Sequence, residues 1–533
     1  MDPLATISAR RTPQSQPADE RQVENNADGY AFQLDDMARF RRFLTLGVDG
    51  GTYYVGAGDL ARDNAQVVLK LSGERHREAV DALVDVSVGG RAPRQNPALF
   101  ALAVLASNGT PEERGYALNA LPRVARTGTH LFLFARYVEQ FRGWGRSLRR
   151  AVGQWYIGKE PDALAYQAVK YRQREGWSHR DLLRLAHPES ADPSTRALFD
   201  WIVRGSVGEG TPRLIEGFLK AQELGADVPA LVRDYGLSWE MLPDASLSQR
   251  ATWDALLDSG IPQTALMRQL PRLTRLGVIA PTGGRTAEIA ARLSDSERLR
   301  KARVHPVNVL VAARTYASGR SARGDNEWQP VPKIIDALDA AFYNAFAAVE
   351  PAGKRTMLAL DVSGSMTAPI SNMPLSCREA SAALALVTAA TEPDYMAVGF
   401  TGSGGWGFRG RQAELTALNI SPRQRLDDVI RTVSNLPFGA TDCAAPMVAA
   451  LQQGWEIDTF AVYTDNETWA GSIHPHRALD QYRQRTGINA KLIVVGMTAT
   501  PFSIADPSDP GMLDVAGFDS TVPNLIADFS RGL

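Results

Sequence analysis

The sequence predicts an all-α, HEAT-like stack of helical repeats followed by a doubly wound α/β domain. Three observations predict it. From about Tyr30 to Glu350 one punctuation recurs: a capping residue, often followed by proline, then an apolar-periodic run, then glycine. Beyond Thr356, short apolar runs alternate with amphipathic segments, the pattern of a mostly parallel sheet covered on both faces. The first of those runs, Thr356 to Leu360, ends in Asp361-Val362-Ser363-Gly364-Ser365. That ending places three hard oxygens at the carboxyl edge of the sheet, where open α/β sheets bind ligands.

A chain of 533 residues exceeds one ordinary core. Its 44% hydrophobic and 22% charged content is that of a soluble globular protein. No run of eighteen apolar residues occurs, so no membrane-spanning helix is expected. Met1 to about Asp28 lacks an apolar stretch after Arg10 and Arg11, so it reads as a disordered or loosely packed tail and not as a secretory leader. The expected division is a tail at 1–28, a helical region at 29–352 and an α/β domain at 353–533. Two cysteines, Cys377 and Cys443, in no C-x-x-C pair, point to buried thiols and a cytoplasmic, reducing location.

In the helical region, Asn96-Pro97 opens a helix that stops near Asn108-Gly109, and Thr110-Pro111-Glu112-Glu113 is a capping box. Asp192-Pro193 starts a helix ending at Gly205, and Thr211-Pro212 starts one ending at Gly225. Short loops imply antiparallel neighbours, and no strict repeat length appears. Charge is patterned across this region. Between Arg123 and Arg184 thirteen basic residues face five acids, a net +8, whereas residues 351–533 carry a net −5. Such an asymmetry suits a polyanion on one part only.

On a helix from Pro161, Lys170 and Arg174 would share a face, with Arg172 near. Ser178 and Asp181 cap a second helix that carries His179, Arg180, Arg184 and His187. Arg268, Arg272 and Arg275 form a further stripe, interrupted by Pro271, and Lys301 and Arg303 belong to another cluster. One such stripe alone is ordinarily a solvated helix face; several with few acids between them suit phosphate. Trp144, Trp155, Tyr156, Tyr166, Tyr171 and Trp177 lie among these residues, most as core and one or two as stacking platforms. No groove-reading motif for duplex DNA is present, which favours RNA with single-stranded ends or loops.

In the α/β domain, helices are expected at Arg378 to Ala390, Leu426 to Leu436, Ala444 to Gln452, Pro475 to Arg485 and Val522 to Phe529. Strands are expected at Tyr395 to Phe400, Ile457 to Tyr463 and Lys491 to Gly496. The glycine-rich run Thr401 to Gly407 lacks a Lys-Ser/Thr and a following helix, so it reads as a loop and not a phosphate cradle. The D-x-S-x-S at Asp361, a loop threonine at Thr441 and a strand-ending Asp465 together resemble the metal-ion-dependent adhesion site of von Willebrand factor A domains. The resemblance makes Asp361, Ser363, Ser365, Thr441 and Asp465 the shell of a divalent cation, Mg²⁺ first, directly or through water.

Phe43 to Tyr54, Asn96 to Leu99, Lys170 to Leu185 and His305-Pro306 resemble the signatures of the TROVE module. With the metal-site domain, the chain resembles the Ro ribonucleoprotein autoantigen family, in its bacterial form. That resemblance implies a monomeric ring of repeats with basic surfaces. The partners it implies are Y RNA on the outside, single-stranded 3′ ends of misfolded or precursor RNA in the hole, and a 3′ exoribonuclease such as polynucleotide phosphorylase. The RNA-contacting positions it carries over are Lys170, Arg174 and His187. Two other readings compete. A metal-dependent hydrolase at Asp361 would need a base, for which Asp442 and Glu467 are candidates. An adhesion receptor would leave the basic helices unexplained. A non-catalytic RNA-binding scaffold is the reading the residues favour.

Overall fold

The computed structural model describes residues 11–48, 52–321, 325–346, 349–370, 375–402, 413–422, 424–436, 439–519 and 521–532. The glycine-rich run beyond Gly402 therefore lies outside the described residues. Strands β1 (Gln22–Glu24) and β2 (Tyr30–Gln33) form a hairpin ahead of the first helix, Asp36–Leu46. From there to Asn344 the chain is helical, apart from a small hairpin of β3 (Gln173–Arg174) and β4 (Trp177–Ser178).

The expected local signals operate. Thr110 and Glu113 satisfy each other's backbone donors at the start of Pro111–Asn119, and Ser178 and Asp181 do the same for His179–Ala186. Helices pack on one another in pairs, among them Asn96–Leu105 on Gly128–Phe141 and Pro306–Ala317 on Pro332–Asn344. The stack returns on itself: Gly89 and Gly90 line one cleft with Arg300, Arg303 and Asn344.

Two local expectations fail. The helix from Pro161 ends at Lys170, so Arg174 does not share its face. Arg174 instead pairs with Trp177 across Glu175 and Gly176, whose φ values of 56° and 82° make the two-residue turn that a hairpin prefers. Pro271 does not interrupt its helix, which runs continuously over Gln263–Arg275.

The second half is a six-stranded sheet. Its strands are β5 (Thr356–Asp361), β6 (Tyr395–Gly402), β7 (Ala413–Leu418), β8 (Thr459–Thr464), β9 (Lys491–Gly496) and β11 (Met512–Ala516), in the order β11-β9-β8-β5-β6-β7. All neighbours are parallel except β6 and β7. Side chains alternate between two cores, as strands buried on both faces require. Met357, Ala359, Phe460, Val462 and Leu492 meet the helices Ala445–Gln453 and Pro475–Thr486. Leu358, Leu360, Ala461, Tyr463 and Ile493 meet Cys377–Thr391, and their core continues into the helical region. Phe518 bridges the halves, packing against Phe342 and Phe346. Cys377 and Cys443 are buried free thiols.

The N-terminal segment corrects the sequence reading. Residues 11–28 are packed and not a loose tail. Gln14 is fully buried, donating to Asp442 Oδ1 and to the Ile473 carbonyl, both at 2.8 Å. The remaining short strand, β10 (Phe502–Ser503), pairs with β2 and fastens the segment to the α/β domain. Composition misled because these polar side chains are satisfied by a distant surface and not by a core of their own. The segment lies so close that a Cβ on Gly29 would come within 1.9 Å of the Thr468 carbonyl oxygen. Gly29→Ala is therefore expected to loosen residues 11–33 at a cost of about 1–3 kcal/mol, seen as a lower melting temperature and as faster proteolysis in this segment alone.

Candidate nucleic-acid interface and metal centre

The basic residues singled out above do not form one uniform face. Arg172, Arg174, Arg180, Arg184 and His187 are exposed along the hairpin and the helix that follows it. Among the described residues the four arginines have no carboxylate partner within ion-pair distance. Lys170 differs: its ammonium is 3.1 Å from Glu240 and 3.2 Å from the Tyr166 hydroxyl, with little of its side chain in solvent. His187 ends the helix in the left-handed conformation.

His179 faces the core. It is buried against Phe132 and Trp155 and hydrogen-bonded through Nδ1 to the Tyr156 hydroxyl at 2.9 Å. Burial lowers its pKa to about 4, so it carries no charge for a phosphate at neutral pH. The expectation of an RNA contact there is corrected: N1 of a helix presents a side chain inward as readily as outward. Arg268, Arg272 and Arg275 also separate. Arg268 is exposed beside Arg94 in one cleft, whereas Arg272 and Arg275 line another near Asn326. Lys301 and Arg303 are exposed at the end of Ser296–Lys301. Of the aromatic residues, Trp155 and Tyr156 are fully buried, while Trp144 and Trp177 pack on each other at 5.3 Å at the edge of the core.

At the carboxyl edge of the sheet, the five residues of the expected metal shell are all buried. Asp361 Oδ1 accepts from the Ser363 amide at 2.9 Å, and its Oδ2 accepts from the Thr464 hydroxyl at 2.7 Å. The Ser363 and Ser365 hydroxyls are 3.1 Å apart. Asp465 Oδ1 accepts from the Glu467 amide at 3.1 Å. The Thr441 loop is fixed beside β8 by the amides of Trp469 and Ala470, which donate to the Thr441 carbonyl.

Burial and the facing charge of Asp361 raise Asp465 to about 7, and burial raises Asp361. Two buried carboxylates that repel each other, ringed by hydroxyls, are chemically suited to a hard divalent cation. Among the described residues no cluster of three or more His, Cys, Asp or Glu offers a metal site, so any ion here relies on hydroxyl oxygens.

Comparison with known proteins is decisive for the family. The RNA-binding protein RO60 of Deinococcus radiodurans is 42% identical over 538 residues, spanning 99% of both chains. The chain belongs to the Ro60 family. A model of the TROVE domain matches residues 23–205 and 235–315, and a model of the Ro60 vWA domain matches 355–530. The RNA-binding protein RO60 of Caenorhabditis elegans is 37% identical over 594 residues, covering 96% of this chain and 90% of that one. The crystal structure of the Deinococcus radiodurans RO (RSR) protein superposes with a TM-score of 0.71 at 42% identity, covering 93% of this chain and 100% of that one.

In this Ro60-family chain, several residues at the sheet edge escaped sequence reasoning. Arg378 reaches under the D-x-S-x-S turn to donate to the carbonyls of Val362 and Ser363. Thr464 was hidden beside Asp465, although its place at a strand end was a signal. Asn26 binds both oxygens of Glu467, one through its backbone amide and one through its side-chain amide. Nothing local in the sequence joins residues 26 and 467.

The His179 assignment is testable by its protonation. A folded-state pKa near 4, below the usual 6.5, means that protonation favours the unfolded chain. Its contribution to stability is full above pH 6.5 and is lost as pH falls toward 4. Its imidazole NMR signals should stay unchanged from pH 8 to 5.5. A titration near 6.5 would return it to the charged surface.

Proposed function

We propose that the chain is a non-catalytic RNA-binding protein that holds Y RNA and the single-stranded 3′ ends of misfolded or precursor RNA. The reading extends to quality control with a 3′ exoribonuclease of the polynucleotide phosphorylase kind, in the cytoplasm. The observation that carries it is the succession of exposed, unpaired arginines, Arg172, Arg174, Arg180 and Arg184, on a hairpin and its adjoining helix. Guanidinium groups bind phosphate bidentately, and their spacing along two elements follows a strand's backbone better than one compact anion. Membership in a family whose relatives are named RNA-binding proteins supports the same reading.

The test is binding of a stem with a single-stranded 3′ tail, measured by fluorescence anisotropy across a salt series. Arg180→Glu with Arg184→Glu should weaken binding by about 1–3 kcal/mol and flatten the log K against log salt slope by about two. The labelled RNA should remain full length. Unchanged titrations would remove this face from the account.

We further propose that Asp361, Ser363, Ser365, Thr441 and Asp465 hold Mg²⁺ and offer it to a partner's carboxylate. A bound divalent ion would supply a fixed positive centre there. The hydrolase reading is weaker because Glu467, a candidate base, has both carboxylate oxygens bound by Asn26. Asp442, the other candidate, is held by Gln14 and the Ala444 amide. Asp361→Asn keeps the hydrogen-bonding shape and removes one charge. It should abolish the rise in melting temperature that Mg²⁺ or Mn²⁺ gives the unaltered protein, without lowering the metal-free melting temperature. Retained metal binding by calorimetry would refute the ligand set.

A further inference from the structure

Beside the arginine-bearing helix lies a cleft of about 600 Å³. It opens between that helix, the end of Pro193–Arg204 and the helix Arg213–Ala221. Three arginines line it, Arg172, Arg180 and Arg204, and no acidic residue does. Its apolar wall is aromatic: Trp201 is half-buried, with its ring at 6.4 Å and 77° to that of Phe218. The Arg172 guanidinium lies 4.4 Å from the Phe218 ring centroid, a cation held over an aromatic face. At the rim, Gln222 donates its amide hydrogens to the carbonyls of Phe218 and Met241, which leaves its Oε1 as an acceptor. Arg204 is partly neutralised by Asp200 at 2.9 Å, so Arg172 and Arg180 supply most of the free charge.

We propose that this cleft holds one unpaired nucleotide of the bound RNA, its base between Trp201 and Arg172 and its flanking phosphates on Arg180 and Arg204. The assignment rests on the RNA-binding reading and adds to it a site that recognises a base. Phosphate binding alone needs neither a half-buried tryptophan nor an arginine held over a ring. A purely apolar ligand would not need three cations. A nucleotide needs all of these together, because its base presents a π face and its backbone a negative charge on each side. The Gln222 acceptor and the arginine donors line the same cleft, so a base edge held there can be distinguished as well as bound.

The experiment uses the full chain and two fluorescein-labelled oligomers of equal charge: decauridylate, and a ten-unit abasic ribose phosphate. Trp201→Leu should weaken decauridylate binding about tenfold, the effect of losing one stacked base, and leave the abasic oligomer unchanged. Arg180→Glu should weaken both. A decamer carrying one 4-thiouridine should crosslink in the unaltered protein to Trp201 or Phe218, and this mapping decides alone if Trp201→Leu does not fold. Three outcomes would overturn the cleft while leaving RNA binding intact: no effect of Trp201→Leu on decauridylate, an equal loss on both oligomers, or crosslinks confined to other elements. If neither oligomer binds the unaltered protein, or Arg180→Glu changes neither, the arginine-face reading fails and takes the cleft with it.

Discussion

One buried guanidinium ties the two halves of the molecule together. Arg42, on the first helix, is almost wholly out of solvent. It binds Asp514 on β11 at 2.5 Å and donates to Thr500, in the loop that follows β9, and to the Phe502 carbonyl on β10. Taking that charge out of water costs several kcal/mol, offset only because the carboxylate and the carbonyls are already in place. Asp514 also accepts from Ser503, so the same carboxylate fixes the short strand that pairs with β2. The sheet makes room for Arg42 at Gly496, where a Cβ would come within 2.8 Å of a guanidinium nitrogen. Removing either partner would leave an uncompensated charge between a helix and a sheet. The N-terminal hairpin and the Asn26 contact to Glu467 at the sheet edge depend on this seating.

The same chemistry separates structural cations from free ones. Arg42, Arg91 and Arg285 are paired with carboxylates, and Lys170 is paired with Glu240. Arg378 is used on the Val362 and Ser363 carbonyls of the D-x-S-x-S turn. Arg172, Arg174, Arg180 and Arg184 remain without such partners among the described residues. An ion pair already made inside the protein has less to offer an incoming phosphate, because binding must first break it or share it. Counting basic residues therefore overstated the free positive charge at Lys170 and His179, whereas the four arginines stay exposed.

Local signals in the sequence were strong where the cause is local. Capping boxes at Thr110 and Ser178, the glycine after Arg204 and the apolar strands at Thr356 and Lys491 all appear at or within a residue or two of their expected positions. The D-x-S-x-S motif was legible because its three oxygens belong to one turn. Less legible were elements stabilised by something distant. The edge strand β7 and the strand β11 have only five or six residues and take their conformation from β6 and β9. Arg174 was placed on the helix from Pro161 because apolar periodicity does not register the two-residue turn at Glu175-Gly176.

Sequence alone determined the two architectures, the capped helix starts, the donor types at the sheet edge and the basic stretch from Arg123 to Arg184. Each follows from residues near one another in the chain, through capping, periodicity and charge density. Tertiary structure decided which cations stay free, that His179 points inward, that residues 11–28 are anchored, and that Trp201, Phe218 and Arg172 share a cleft. These depend on what faces a side chain from hundreds of residues away. Burial and pairing energies are set by those neighbours, and no local pattern encodes them.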